Sequence, residues 1–218
     1  MTEQTKDKKP EANEEGSVKM TGHLLIRDKE TGEVLVDKDN AIHHGNMALV
    51  IANALSYYTT SNSGIYYMAF GNGGSDVLST GEIKYKNTNT SSVQEESAQL
   101  YNRTYQKIVA KAVESDAKNN IQVISTSSDY TDLKITCTLD FGEPSGQMSS
   151  DTASGNDNPA NADTTYVFDE LGLYSFNAPQ GQADVNSARL LTHVIFHPVQ
   201  KSMNRVVEIV YTIRIQMQ

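Results

Sequence analysis

Four groups of residues in this chain are of types that do chemistry, and in each the spacing decides what chemistry is open. The run Phe70-Gly-Asn-Gly-Gly74 is glycine-rich enough for backbone amides to approach phosphate oxygens. No Lys-Ser/Thr pair follows it as in a P-loop, and the third glycine of a G-x-G-x-x-G pattern would fall on Asp76, so the run reads as a tight turn. His43 and His44 precede Gly45, and His193 and His197 lie four residues apart. On a strand four residues span roughly 13 Å, too far for one ion, and adjacent histidines point to opposite faces. No metal site within one chain follows; an ion on an oligomer axis, held by the same histidine from several copies, stays open.

Cys137 is the only cysteine. It falls on the inward phase of a cleanly alternating segment and reads as a small buried hydrophobe rather than a thiolate nucleophile. Serines are plentiful but gathered in polar stretches, with no G-x-S-x-G elbow. Asp169 and Glu170 are neighbours, so on a regular strand they face opposite ways and cannot make a paired-carboxylate site without a bulge. A structural role is expected instead, such as Glu170 meeting a basic residue across an interface. The sequence thus assigns no catalytic, cofactor-binding or metal-binding residue, and the reading is non-enzymatic.

The elements that position these residues belong to a chain of 218 residues, 38% hydrophobic and without Trp, long enough for one sizeable domain. Its formal charge of −9 opposes binding along a phosphate backbone, where affinity comes from cations. A single cysteine permits no intrachain disulfide and speaks against an oxidising compartment. No apolar run approaches the roughly 20 residues of a spanning helix, and the charged N-terminus lacks a signal-peptide core. A soluble, unprocessed chain that binds neither nucleic acid nor membrane is expected.

Residues 1–16 mix five acids with three lysines and hold no large apolar residue after Met1. They read as a flexible arm ahead of a single β-rich domain over 17–218. Val18–Arg27 and Val34–Val36 flank a polar stretch in which Gly32 supplies a positive φ, the pattern of a hairpin. Met47, Ala48, Ile51, Ala52, Leu55 and Tyr58 recur at helical spacing, predicting a helix over Asn46–Tyr58 with Asn40 or Asn46 as its cap. Ile65–Phe70 is a strand feeding the glycine turn; Ser75–Gln99 is polar and crosses the surface; Leu100–Val113 leans to strand.

Leu133, Ile135, Cys137, Leu139 and Phe141 alternate with Lys134, Thr136, Thr138 and Asp140, predicting a strand with one wet face. Gly142–Asp163 is almost all Gly, Ser, Asn, Asp, Pro and Ala, a polar loop insertion. Tyr166–Phe176, Ala188–Phe196 and Val206–Ile215 resume strands, the last with Val206 and Val210 opposite its apolar face and hence central. The fold class is mainly β: an antiparallel β-sandwich-like domain with one amphipathic helix and long loops.

In order along the chain, Asp37-Lys-Asp-Asn-Ala-Ile-His-His-Gly-Asn46 before an Ala-rich helix, Met68-Ala-Phe-Gly-Asn-Gly-Gly74, Phe168-Asp-Glu-Leu-Gly-Leu-Tyr174, Leu190-Leu-Thr-His-Val-Ile-Phe196 and Val207-Glu-Ile-Val-Tyr-Thr-Ile-Arg-Ile215 resemble a pattern in virion structural proteins of tailed bacteriophages. There an asparagine-containing turn precedes a helix, F-G-x-G follows a strand, and E-[IL]-G-L-[FY] comes before a terminal W/Y-T-I strand. The resemblance covers about Val18–Gln218, with gaps, and the insertion at 142–163 departs from it. It implies a non-enzymatic particle component of the tail, baseplate or neck, located in the virion, assembling with itself as a homo-oligomer or with other virion proteins, and it offers no cofactor. The alternatives are a capsid decoration protein or a carbohydrate-binding module of a host-recognition apparatus. The latter would use exposed aromatic platforms, whereas Tyr57, Tyr58, Tyr66 and Tyr67 straddle helix and strand and suit a half-buried role.

Overall fold

The computed structural model describes residues 17–55, 64–90, 98–109, 117–125, 127–144, 165–175 and 188–217. The 1–16 arm, Tyr57 and Tyr58, and nearly all of the 142–163 insertion lie outside them. Among these residues are twelve strands and one helix: β1 (Val18–Asp28), β2 (Val34–Asp39), β3 (Ala41–Ile42), α1 (His44–Leu55), β4 (Ile65–Gly71), β5 (Ser75–Val77), β6 (Ile83–Tyr85), β7 (Arg103–Ile108), β8 (Asn120–Ile124), β9 (Tyr130–Leu139), β10 (Thr165–Ser175), β11 (Leu190–Ser202) and β12 (Val207–Met217). They form one five-stranded sheet in the order β2-β1-β12-β9-β8, a second in the order β3-β11-β10-β4-β7, and the β5-β6 hairpin. All neighbouring strands are antiparallel, and the two sheets enclose a shared core: an antiparallel β-sandwich.

In the first sheet Gly32 has φ 76°, and Asp28 Oδ1 accepts the amides of Glu30 (2.9 Å) and Thr31 (2.8 Å), closing the β1–β2 turn. The last strand, β12, is central: it runs in unbroken register from Val18↔Met217 to Asp28↔Val207 against β1 and pairs with β9 on its other edge. Its Val207, Ile209, Tyr211 and Ile213 are buried, Val210 on the far face is half-buried and Arg214 is exposed. The outer face of this strand is therefore only partly covered.

On β9 the alternation puts Ile135, Cys137 and Leu139 in the core. Two expectations fail here. Phe141 lies past the end of the strand and is 59% exposed, and Thr136 and Thr138, read as outward and wet, are buried. Asn119 is itself buried, and its Oδ1 accepts the Thr138 amide at 3.3 Å, so polar groups cover what periodicity alone would leave to water. The neighbouring strand β8 was not expected from the sequence, where only three apolar residues break a polar run.

The second sheet is covered on both faces. Inward, Met68, Phe70, Phe168, Leu171, Leu173 and Phe196 join the shared core, with Phe168 meeting Phe70 and Phe196 edge-on at 5.4 and 5.8 Å. Outward, Tyr67, Ala69, Tyr174 and Leu190 form a second cluster roofed by Ala98 and Leu100. The Tyr67 and Tyr174 rings stack at 5.0 Å, and the Leu100 amide donates to the Tyr174 hydroxyl at 3.0 Å. The polar stretch 75–99 thus does more than cross the surface: it holds the β5–β6 hairpin and ends in a lid on the second sheet.

α1 begins two residues earlier than its periodicity suggested, and neither Asn40 nor Asn46 caps it. His43 does: its carbonyl accepts the Met47 amide (3.0 Å) and its ring Nδ1 the Asn46 amide (3.3 Å). Asn46 lies within the helix and its Nδ2 donates to the Leu190 carbonyl at 2.7 Å. Met47 and Val50 are buried and Ile51 packs on them, while Ala48 and Ala52 are exposed. The buried face is rotated from the expected one because Val50, not alanine, has the volume to fill the space beside β11.

Candidate functional site

Of the chemistry-bearing residues singled out by sequence, the glycine turn, Asp169, Glu170 and His193 meet at one irregularity. β10 and β11 pair as Phe168↔Val199 and then as Glu170↔Ile195, so Asp169 stands against three residues, Phe196, His197 and Pro198. Pro198 has no amide to give a ladder and sits where the ladder is broken. This is the bulge that paired carboxylates require, and it turns both acids toward the glycine turn after β4.

Glu170 is wholly buried and accepts four hydrogen bonds. Its Oε1 takes the amides of Gly73 (3.2 Å) and Asn102 (2.8 Å); its Oε2 takes the Tyr101 amide (3.0 Å) and Nε2 of His193 (3.0 Å). Asp169 holds the next stretch of the loop, through the Gly74 amide at 2.9 Å and the Ser75 hydroxyl. The glycine turn is thus an anion cradle after all, and the anions are the protein's own side chains.

Close approach explains the glycines. A methyl group at Gly71 would overlap Glu170 and the Asn102 carbonyl, and one at Gly73 would stand 2.8 Å from the Asn102 nitrogen and from Tyr101 Cβ. Gly172, on the same face of β10, is likewise pressed against Leu190 and Thr192.

His193, also fully buried, completes the clasp. Its Nδ1 lies 2.9 Å from the Asn89 amide, which can only donate, so the ring is the neutral tautomer with its proton on Nε2, directed at Glu170. Tyr101 packs on the ring at 5.8 Å and carries Lys86 over its own face at 5.0 Å. Lys86 in turn donates to the Gly73 carbonyl. Glu170 therefore meets a basic residue within its own chain, not across an interface.

Burial raises the Asp169 carboxyl above the usual range, with the neighbouring Glu170 charge adding to it and the Ser75 and Gly74 bonds opposing it. Every polar atom of Glu170 and both ring nitrogens of His193 are engaged, and neither residue has exposed surface. The arrangement pins three covering segments, 71–75, 86–90 and 98–102, to the outer face of the second sheet.

The other candidates are scattered. His43 caps α1, His44 begins it, and His197 is exposed with Nδ1 at 3.2 Å from the Tyr85 hydroxyl. No group of three or more His, Cys, Asp or Glu among the described residues is placed to hold a metal ion. Cys137 is fully buried, and desolvation pushes its thiol up to about 12.

Beside Cys137 lies a polar cluster that sequence did not flag, because its members come from three separate segments. Glu143 accepts from Lys107, from the Tyr105 hydroxyl (2.9 Å) and from the Asp140 amide (3.0 Å). Burial alone would raise the Glu143 carboxyl; these bonds outweigh it and hold it below the usual range. Lys107 also donates to the Thr138 carbonyl at 2.8 Å, tying β7 of one sheet to β9 of the other. Lys201, 2% exposed, donates to the carbonyls of Asp140 and Ser202, and desolvation lowers its ammonium pKa.

A shallow concavity of about 450 Å³ on the first sheet is lined by Thr21, His23, Asp39, Asp132 and Arg214 among others. Two of its lining charges are matched to each other, since Arg214 makes a two-pronged bond to Asp132 (2.8 Å each) over the Tyr130 ring at 3.7 Å, and His23 bonds Asp37 beside it at 2.7 Å. No family model, curated protein or solved structure matches the chain.

Proposed function

We propose that this protein is a non-enzymatic structural component of a tailed-bacteriophage virion, built into the tail, baseplate or neck and assembling there with itself or with neighbouring virion proteins. The observation that carries the reading is how the motif residues are spent. Gly71–Gly74, Asp169–Glu170 and His193, which come from three of the segments that resemble phage virion proteins, bind one another and hold the fold together. Their chemistry is consumed by architecture. Among the described residues, edge strands and exposed apolar side chains such as Val77, Val123 and Tyr85 are the kind of surface on which subunits of a particle complete one another's sheets.

Quantitative mass spectrometry of purified particles made by the phage that encodes this chain tests the assignment. Peptides of the chain at a fixed number of copies per particle, retained through density-gradient purification, are the expected result. Their loss on purification while capsid and tail proteins are retained would refute it. A cryo-EM density map of the same particles then distinguishes tail, baseplate and neck from the head surface.

A further inference from the structure

The outer face of the first sheet carries two rows of polar side chains that the fold does not use up. Residues directly opposite on antiparallel strands share a face, with Cβ atoms roughly 5 Å apart. Asp39 of β2, His23 of β1, Thr212 of β12 and Lys134 of β9 stand in one such row, and Thr21, Arg214 and Asp132 in the next. Their neighbours along the strands, Leu24, Tyr211, Ile213 and Ile135, point into the core, so both rows face outward. All of them except Lys134 line the shallow concavity of about 450 Å³, a volume within the range of small-molecule sites.

We propose that this concavity binds a neutral oligosaccharide lying across the strands. Part of the site is fixed in advance. Nε and Nη2 of Arg214 are held by Asp132 at 2.8 Å each, and the guanidinium rests on the Tyr130 ring at 3.7 Å. Its Nη1 is therefore offered to a ligand without the cost of ordering a long side chain on binding. His23 bonds Asp37 through Nε2 at 2.7 Å, and since the carboxylate only accepts, the ring's Nδ1 is left as an acceptor. Among the described residues, the Asp39 carboxylate, the Thr21 and Thr212 hydroxyls and the Lys134 ammonium reach no protein partner.

Charge and span select the ligand. The first row runs from a carboxylate at Asp39 to an ammonium at Lys134, and in the second Arg214 and Asp132 cancel. An ion of either sign thus meets its own sign at one end. Asp39 and Lys134 stand three strand spacings apart, roughly 14 Å, too far for a small zwitterion to answer both. A run of sugar hydroxyls suits the whole row: Asp39 and His23 accept from them, Arg214 and Lys134 donate to them, and the threonines do either. Such a site is independent of the virion assignment and stands if the chain proves absent from particles.

Titration of the isotope-labelled full chain, followed by its amide chemical shifts, tests the proposal. The neutral probes are maltotriose, cellotriose and triacetylchitotriose; the charged ones are deacetylated chitotriose, a cation, and trigalacturonate, an anion. The expected result is that a neutral trisaccharide shifts the amides of Thr21, His23, Asp39, Thr212 and Arg214 saturably, and that both charged probes bind at least about tenfold more weakly. Asp39→Ala and Thr212→Val each raise its dissociation constant by about tenfold, while Glu82→Ala, in the β5–β6 hairpin, leaves it unchanged. If Thr212→Val fails to fold, as judged by circular dichroism, Asp39→Ala decides, because Asp39 is exposed. Spectra that none of the neutral probes moves overturn the proposal. So do shifts centred elsewhere on the molecule, a charged probe that binds as tightly as the neutral ones, or affinity indifferent to Asp39→Ala.

Discussion

Replacing Glu170 with alanine removes the acceptor of four hydrogen bonds at one stroke. The donors left behind are the amides of Gly73, Tyr101 and Asn102 and Nε2 of His193. An unsatisfied buried donor costs about 1–3 kcal/mol. The three amides belong to covering segments near the surface, so water entering the vacated volume satisfies part of them, whereas His193 has no exposed surface. The net loss expected is about 3–5 kcal/mol, in line with the breaking of a buried, hydrogen-bonded charge. For a chain of this size it lowers the melting temperature by roughly 10 °C.

Glu170→Gln is the informative companion. It keeps an oxygen for two donors but sets an NH₂ group against the other two, so one donor faces another; the expected cost is smaller, about 1–3 kcal/mol. Denaturant titration measures both losses. Amide hydrogen exchange locates them, with protection falling first at Gly73, Asn89, Tyr101 and Asn102 while the β1–β12 ladder stays protected. A Glu170→Ala variant within about 0.5 kcal/mol of wild type, or exchange rising uniformly across both sheets, would refute the clasp as the anchor of these segments.

Gly73→Ala, whose methyl group meets the Asn102 nitrogen and Tyr101 Cβ at 2.8 Å, is expected to destabilise the fold by about 1–3 kcal/mol, whereas Gly32→Asn, at a positive φ with open space around it, should be nearly neutral; thermal melts compare the two. The amides of Thr31 and Glu30 and the Arg205 guanidinium hold the Asp28 carboxyl well below the usual carboxylate range. A depressed pKa adds stability that is present above the unfolded value of about 3.9 and is lost as pH falls toward the folded one. Asp28→Asn should therefore flatten the fall of stability below about pH 4, seen in denaturation midpoints across pH; an unchanged slope would contradict it. Cys137 should resist an aromatic disulfide reagent in the native protein and react at the rate of unfolding, with fast native labelling contradicting its place in the core.

Periodicity and turn chemistry, both local, reach the sequence directly. Alternation over Leu133–Leu139 and Val207–Ile215 follows from the two-residue repeat of a strand, which must bury one face whatever its partner, and β9 and β12 are where it places them. Gly32 is readable because an αL turn position favours glycine in any context. The antiparallel sandwich with a single helix among the described residues follows from counting such segments.

What escaped the sequence depends on neighbours far along the chain. Asp169 and Glu170 converge because Pro198 and its flanking residues, about thirty positions away, break the ladder opposite them, and no local pattern encodes where a partner strand will bulge. Glycines suited to phosphate serve internal carboxylates, since an amide cradle is filled by whichever anion the fold brings to it. His43 stands at the helix start because its own amide is bonded to the Leu191 carbonyl of β11 at 2.8 Å, and the buried Asn119 takes the Thr138 amide from nineteen residues away. Residue types and spacing determined the layers of this protein; only the packing of distant segments decided which polar groups are spent inside it.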